Sequence, residues 1–109
     1  MERIENLTAL RDALRQFAAA RDWRQYHTPK NLAMALIVEA AELVEQFQWM
    51  TPEQSRNLSV QHLAAVRDEV ADTLIYLVEI ADVLDIDLLS AARDKMVLNA
   101  IKYPAPKRD

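Results

Sequence analysis

The sequence predicts an all-α chain, a bundle of four to five helices, and three observations carry that expectation. Its 109 residues contain no glycine, where average usage of about 7% would give seven or eight. Tight β-hairpin turns and phosphate-cradling loops both lean on glycine, so a Walker loop and a GxGxxG fold are excluded and a β-rich architecture is disfavoured. Apolar residues recur at helical spacing along most of the chain. Threonine, serine and aspartate stand immediately before these stretches, where a side-chain oxygen can accept from a free N–H of the first helical turn.

The first helix is expected from about Ile4 to Asp22, with Ile4, Leu7, Leu10, Leu14, Phe17 and Ala18 on its apolar face. A ring-rich segment follows, Trp23-Arg24-Gln25-Tyr26-His27. Thr28-Pro29 reads as a cap with proline at the first helical position, opening a second helix over roughly 29–49. Leu32, Leu36, Leu43 and Phe47 lie along it, among alanines that permit close approach. Thr51-Pro52-Glu53 repeats the cap signal and predicts a short helix or turn at 52–57. Ser59 is placed to cap a third long helix over about 60–84, and Asp87 a fourth over about 88–102. Pro104 and Pro106 end the pattern, so residues 1–104 form one domain and 105–109 a frayed tail. The second and third long helices are apolar almost all round. Helices of that kind need cover on more than one side, which a chain this short can hardly supply, so self-association is expected.

Composition narrows the function. Apolar residues make up 51% and charged residues 28%, with a formal net charge of −4. That balance argues against a general nucleic-acid binder, which wants a basic face. The absence of cysteine excludes disulfides, zinc–thiolate sites, iron–sulfur clusters and cysteine nucleophiles. No stretch is apolar for the ~18 residues a membrane span needs, and the charged start Met1–Glu5 shows no secretory signal. The expected partner is a small molecule rather than a nucleic acid or a membrane, in the cytoplasm.

Carboxylates stand where a buried helix should be apolar. Glu39 and Glu42 are three residues apart, with Glu45 one turn further, and Glu69 and Asp72 repeat the spacing on the third long helix. Such pairs share a face, repel, and are costly in an apolar setting unless something neutralises them. A single ExxE most simply solubilises its helix. Two of them on the two most apolar helices point to a site. An all-oxygen donor set suits magnesium, with manganese as a substitute. A di-iron centre would want histidine three residues after glutamate, and neither His27 nor His62 stands there. Magnesium commonly binds substrate phosphates as well, which directs attention to phosphate-ester or phosphoanhydride chemistry. Metal-free, the clustered acids are expected to raise one another's pKa and to loosen the two helices. Asn31 and Trp49 lie three and two turns from Glu42, Tyr76 one turn past Asp72, and Lys95 and Asn99 share a face of the last helix. The lysine and amide could grip a polyphosphate tail. Each also has a plainer reading: Trp49 and Tyr76 as core or interface rings, Lys95 as a surface charge. His62 reads as a surface residue.

These residues in this order resemble the MazG-like superfamily of all-α nucleotide pyrophosphohydrolases, and most closely its dCTP pyrophosphatase branch. The resembling segments are 21–27, Pro29–Leu36, Glu39–Trp49 and Asp68–Leu77, together with Lys95, Asn99 and Lys102-Tyr103-Pro104. Ala41 stands where the family's ExGE has glycine. The resemblance implies a four- to five-helix MazG-like bundle completed by homo-oligomerisation, as a dimer or tetramer with sites between subunits. It implies hydrolysis of a nucleoside triphosphate to monophosphate and pyrophosphate, with Glu39, Glu42, Glu69 and Asp72 as magnesium ligands. It also implies a nucleoside pocket of Trp23, His27, Trp49 and Tyr76, with Lys95 and Asn99 near the phosphates. Glu45, by position alone, could hold a second metal or orient the attacking water. The expected substrate is dCTP or a related or modified deoxynucleotide. A broad-specificity dNTP or dUTP hydrolase, a non-catalytic nucleotide- or metal-binding oligomer, and a helical protein-binding module remain as alternatives.

Overall fold

A computed structural model describes residues 3–107. Five α-helices are present among them: α1 (Leu7–Ala20), α2 (Pro29–Glu45), α3 (Pro52–Ser55), α4 (Val60–Val83) and α5 (Leu88–Lys102). A single 3-10 turn, Arg24–Tyr26, joins α1 to α2, and the described residues include no strand. Residues 103–107 are non-helical, and the last two residues of the expected tail, 108 and 109, lie outside the described residues.

Every helix opens on a side-chain cap. Thr28 Oγ1 accepts from the Asn31 N–H at 3.1 Å, Ser59 Oγ from His62 at 3.1 Å, and Asp87 Oδ1 from Ser90 at 3.0 Å. At α3 the cap is reciprocal: Thr51 accepts from Gln54 N–H at 3.2 Å while the Gln54 side chain accepts from Thr51 N–H at 2.9 Å. Asn6 caps α1, accepting from Ala9 at 2.8 Å, so that helix begins after Asn6 rather than at Ile4. Each bond satisfies a helix-end donor that would otherwise be left to water.

The helix ends show how a glycine-free chain turns corners. Beyond α1 the Trp23 N–H bonds the Ala18 carbonyl at 2.9 Å and the Asp22 N–H bonds Ala19 at 3.2 Å. Beyond α4 the same double closure joins Ile86 to Ala81 at 2.8 Å and Asp85 to Asp82 at 3.2 Å. This closure needs a left-handed residue, usually glycine. Here Asp22 (φ 57°) and Asp85 (φ 55°) take that position, tolerable because a short polar side chain can bond locally. The second long helix stops at Glu45, four residues short of the expected 49. His62, expected on the surface, is half-buried instead, and its Nε2 donates to the Gln46 carbonyl at 2.8 Å. That carbonyl is thereby satisfied from α4 rather than by continued helix, and the His62 ring tilts against Phe47.

α4 is central: α2 packs along it and α1 crosses it. The buried residues among those described are only Ala18, Leu32, Val78 and Ala81, at the meeting of these three helices. A bidentate ion pair clamps α1 to α4, with Arg15 Nε 3.1 and 2.8 Å from the two Asp82 oxygens and Nη2 on Oδ1. α5 leaves this core, with Leu88 alone of its residues half-buried. The radius of gyration is 17.3 Å, against roughly 13 Å for a compact chain of this length. The accessible surface is 9139 Å², where a folded monomer of this mass exposes about 6,200 Å². Folding of one chain therefore buries about half of its surface instead of the expected two-thirds. The excess lies on large apolar residues: Ile37 is 67% exposed on α2, and Met96 70% and Ile101 74% on α5.

Candidate metal centre and nucleotide site

The packing of α2 on α4 brings the two acid pairs face to face. One carboxylate oxygen each from Glu39, Glu69 and Asp72 lies within 4.8 Å of the others. Glu39 Oε2 and Glu69 Oε2 are buried and have no hydrogen-bond partner. Buried carboxylate oxygens are seldom left without a donor, because the unmade bond costs free energy. Three converging carboxylates, two of them with an unpartnered buried oxygen, make an all-oxygen donor set that could hold a hard cation.

The electrostatics follow from that crowding. Burial is the first cause that lifts the Glu39 carboxyl from its ordinary 4.5 to about 7, followed by the close approach and charge of Glu42 and then the charge of Asp72. Glu69 is raised too, by burial first and then by Glu42. Glu42 therefore adjoins both acids, although it is not one of the three whose oxygens converge. Glu45 ends α2 one turn beyond and is exposed. The Tyr76 phenol, half-buried one turn past Asp72, is pushed up by burial and then by Glu39, Glu79 and Asp72. Neighbouring acids thus add to the rise at both Glu39 and Glu69, but burial is the larger cause, and the hydrogen bond from Glu39 lowers Glu69.

The remaining candidate residues are distributed unevenly. His27 is half-buried and lines a cavity between α1 and α4. Trp23 is exposed and sets its ring edge-on to Phe17 at 5.6 Å. Asn31 spends its amide on structure, donating from Nδ2 to the Tyr26 carbonyl at 2.9 Å and tying the 3-10 turn to α2. Trp49 is 88% exposed beyond α2. Lys95 and Asn99 are exposed on α5, which has little packing in a single chain, so these two are not joined to the acids within one copy. Sequence reading passed over Arg11, Arg24 and Glu79, which share the cavity with His27. For Glu79 a signal was available: Asp72, Tyr76 and Glu79 stand at i, i+4 and i+7, one helical face.

Comparison with known proteins gives this geometry a family. The chain is 45% identical over 92 residues to human dCTP pyrophosphatase 1, across 83% of this chain and 54% of that protein. The cattle protein of the same name is 44% identical over 91 residues, across 82% of this chain and 54% of its own length. The chain thus spans about half the length of the curated relatives it matches. A crystal structure of a pyrophosphatase from Archaeoglobus fulgidus superposes with a TM-score of 0.86 at 39% identity, covering 96% of this chain and 98% of that one. A family model described as MazG-like matches residues 34–109, a span that takes in both acid pairs. By that match and these relatives, the chain belongs to the MazG-like family.

Proposed function

We propose that this protein is a magnesium-dependent nucleoside triphosphate pyrophosphohydrolase, converting dCTP or a closely related deoxynucleotide and water to the monophosphate and pyrophosphate. The observation that carries the reading is the convergence of Glu39, Glu69 and Asp72 with two buried oxygens left unpartnered. The names of the relatives, dCTP pyrophosphatase 1 and pyrophosphatase, support the reaction and the base.

Glu39, Glu69 and Asp72, with Glu42 beside them, would hold the magnesium; manganese fits the same oxygen set. A bound divalent cation supplies charge neutralisation for the polyphosphate and a nucleophilic water. In the reaction a water oxygen forms a bond to the α-phosphorus, the bond from that phosphorus to the α–β bridging oxygen breaks, and pyrophosphate leaves with the bridging oxygen. Glu45, one turn from Glu42, would orient that water or hold a second cation. The raised carboxyl of Glu39 would release its proton to a cation taking the site. His27 and Tyr76 would line the nucleoside pocket, with Trp23 and Trp49 closing on it and Asn31 bracing the turn that holds His27.

Lys95 and Asn99 would meet the phosphates from a second copy. About 3,000 Å² of excess surface per chain is the scale of an obligate interface, so we read the working form as a homo-oligomer, a dimer or tetramer. Residues 1–104 act as the single catalytic domain. No helix among the described residues is long and apolar enough to cross a membrane, and a cytoplasmic role in nucleotide-pool housekeeping fits such a substrate.

The test is pyrophosphate and orthophosphate release from a panel of canonical and modified NTPs and dNTPs, with and without magnesium. Magnesium-dependent pyrophosphate with matching monophosphate is expected. Orthophosphate would mean a different reaction class, a dUTP or uniform ranking would move the base assignment, and no product would favour a non-catalytic binding protein.

A further inference from the structure

Glu79 lies on the face of α4 that carries Asp72 and Tyr76, seven residues from the acid cluster, about 10 Å along the helix axis. It is half-buried and lines a cavity of about 90 Å³ with Leu14, Arg24, His27 and Val78. A space well below the roughly 300 Å³ of the smaller ligand pockets suits one flat ring rather than a whole nucleotide. The other acid of the cavity, Asp82, is committed to Arg15. Among the described residues Glu79 enters no ion pair. Its carboxyl is raised, by burial first, with His27 opposing and Asp82 adding to the rise, and it stands in a partly apolar wall that His27 and Arg24 also line.

We propose that Glu79 selects the base: its carboxylate accepts a hydrogen bond from the exocyclic amine of a cytosine ring seated in this cavity, favouring aminopyrimidine over uracil or thymine nucleotides. The inference rests on the pyrophosphohydrolase reading above and deepens it. An ionised carboxylate only accepts. Cytosine offers it an N–H₂ group, whereas uracil and thymine offer a carbonyl oxygen at the same position. Two acceptors face to face leave a half-buried group unpaired, and sites built on a hydrogen bond discriminate strongly for that reason. His27 and Arg24 stand on the same cavity to donate to the ring acceptors of cytosine.

The test compares kcat/KM for dCTP and dUTP, with magnesium, in the wild-type protein and in Glu79→Gln. The amide keeps the shape and adds an N–H donor that can turn toward the uracil oxygen. The ratio of dCTP to dUTP is expected to fall about tenfold or more, with the dUTP value itself rising. A gain on one substrate cannot come from misfolding. Equal losses on both substrates, or an unchanged ratio with dCTP still hydrolysed, would overturn this inference and leave the reaction class standing. A wild-type preference for dUTP over dCTP would also overturn it. No turnover of any nucleotide by the wild-type protein overturns the reaction class and this inference together.

Discussion

Magnesium titrated into the metal-free protein should displace protons, and the pH dependence follows from Glu39. Its carboxyl is held at about 7 rather than 4.5, so near pH 7 it carries about half a proton and near pH 6 about nine-tenths of one. A cation taking the site releases that proton. Affinity should therefore rise about tenfold per pH unit on the acid side of pH 7 from Glu39 alone and level off above about pH 8, with Glu69, also raised, adding in the same direction. Stability moves the opposite way in the metal-free protein. The folded state binds more protons than the unfolded one between 4.5 and about 7, so unfolding free energy falls as pH rises through that window. Magnesium should cancel the fall, and with EDTA the melting temperature at pH 8 should drop below that at pH 6. The assay is isothermal titration calorimetry at pH 6, 7 and 8 in two buffers of different protonation enthalpy, which counts released protons directly. Equal affinities across that range with no proton release would refute the argument that these carboxylates are held protonated for want of a cation.

Three further outcomes are expected. Glu42→Gln and Asp72→Asn should each lower turnover by a hundredfold or more, because loss of one carboxylate from such a cluster weakens both cation binding and charge stabilisation; steady-state rates check this, and near-normal rates would exclude the acids from the chemistry. Arg15→Ala should lower the melting temperature at neutral pH. Arg15 holds Asp82 below its ordinary 3.8, so that difference is present above about pH 4 and should shrink as pH falls through the lowered value; a difference constant down to pH 2 would contradict the pairing. Asp85→Gly should stabilise the protein by about 1 kcal/mol, because the left-handed backbone at Asp85 costs any residue with a Cβ. That corresponds to a rise of roughly 4–8 °C in melting temperature, readable by calorimetry.

Much of the architecture could be read from single residues. Thr28-Pro29, Thr51-Pro52, Ser59 and Asp87 announce helix starts because capping is a contact three residues long, and each cap is present. The acid cluster was legible for a related reason: glutamates three apart on a helix must share a face, and two apolar helices bearing such pairs have reason to put them together. Helix ends were less legible. α2 gives way after Glu45 to tighter turns, with the Gln46 carbonyl taken by His62, sixteen residues on, and no glycine or proline marks the spot. Aspartates in left-handed corners at 22 and 85 replaced the glycines that would have signalled those turns. The Arg15–Asp82 clamp spans 67 residues, and the meeting of Glu79 with His27 depends on the crossing of α1 over α4. Neither leaves a local pattern. Lys95 and Asn99 mark a different limit: their spacing was readable, but which surface they serve depends on what covers α5.

The most direct test of the proposed chemistry is hydrolysis of dCTP in ¹⁸O-labelled water with magnesium, with both products analysed by mass spectrometry. Attack at the α-phosphorus predicts one labelled oxygen in the dCMP and none in the pyrophosphate. Label in the pyrophosphate with unlabelled dCMP would place the attack on the β-phosphorus and contradict the proposed attack at the α-phosphorus; labelled orthophosphate with dCDP would place it on the γ-phosphorus and contradict the pyrophosphohydrolase assignment itself.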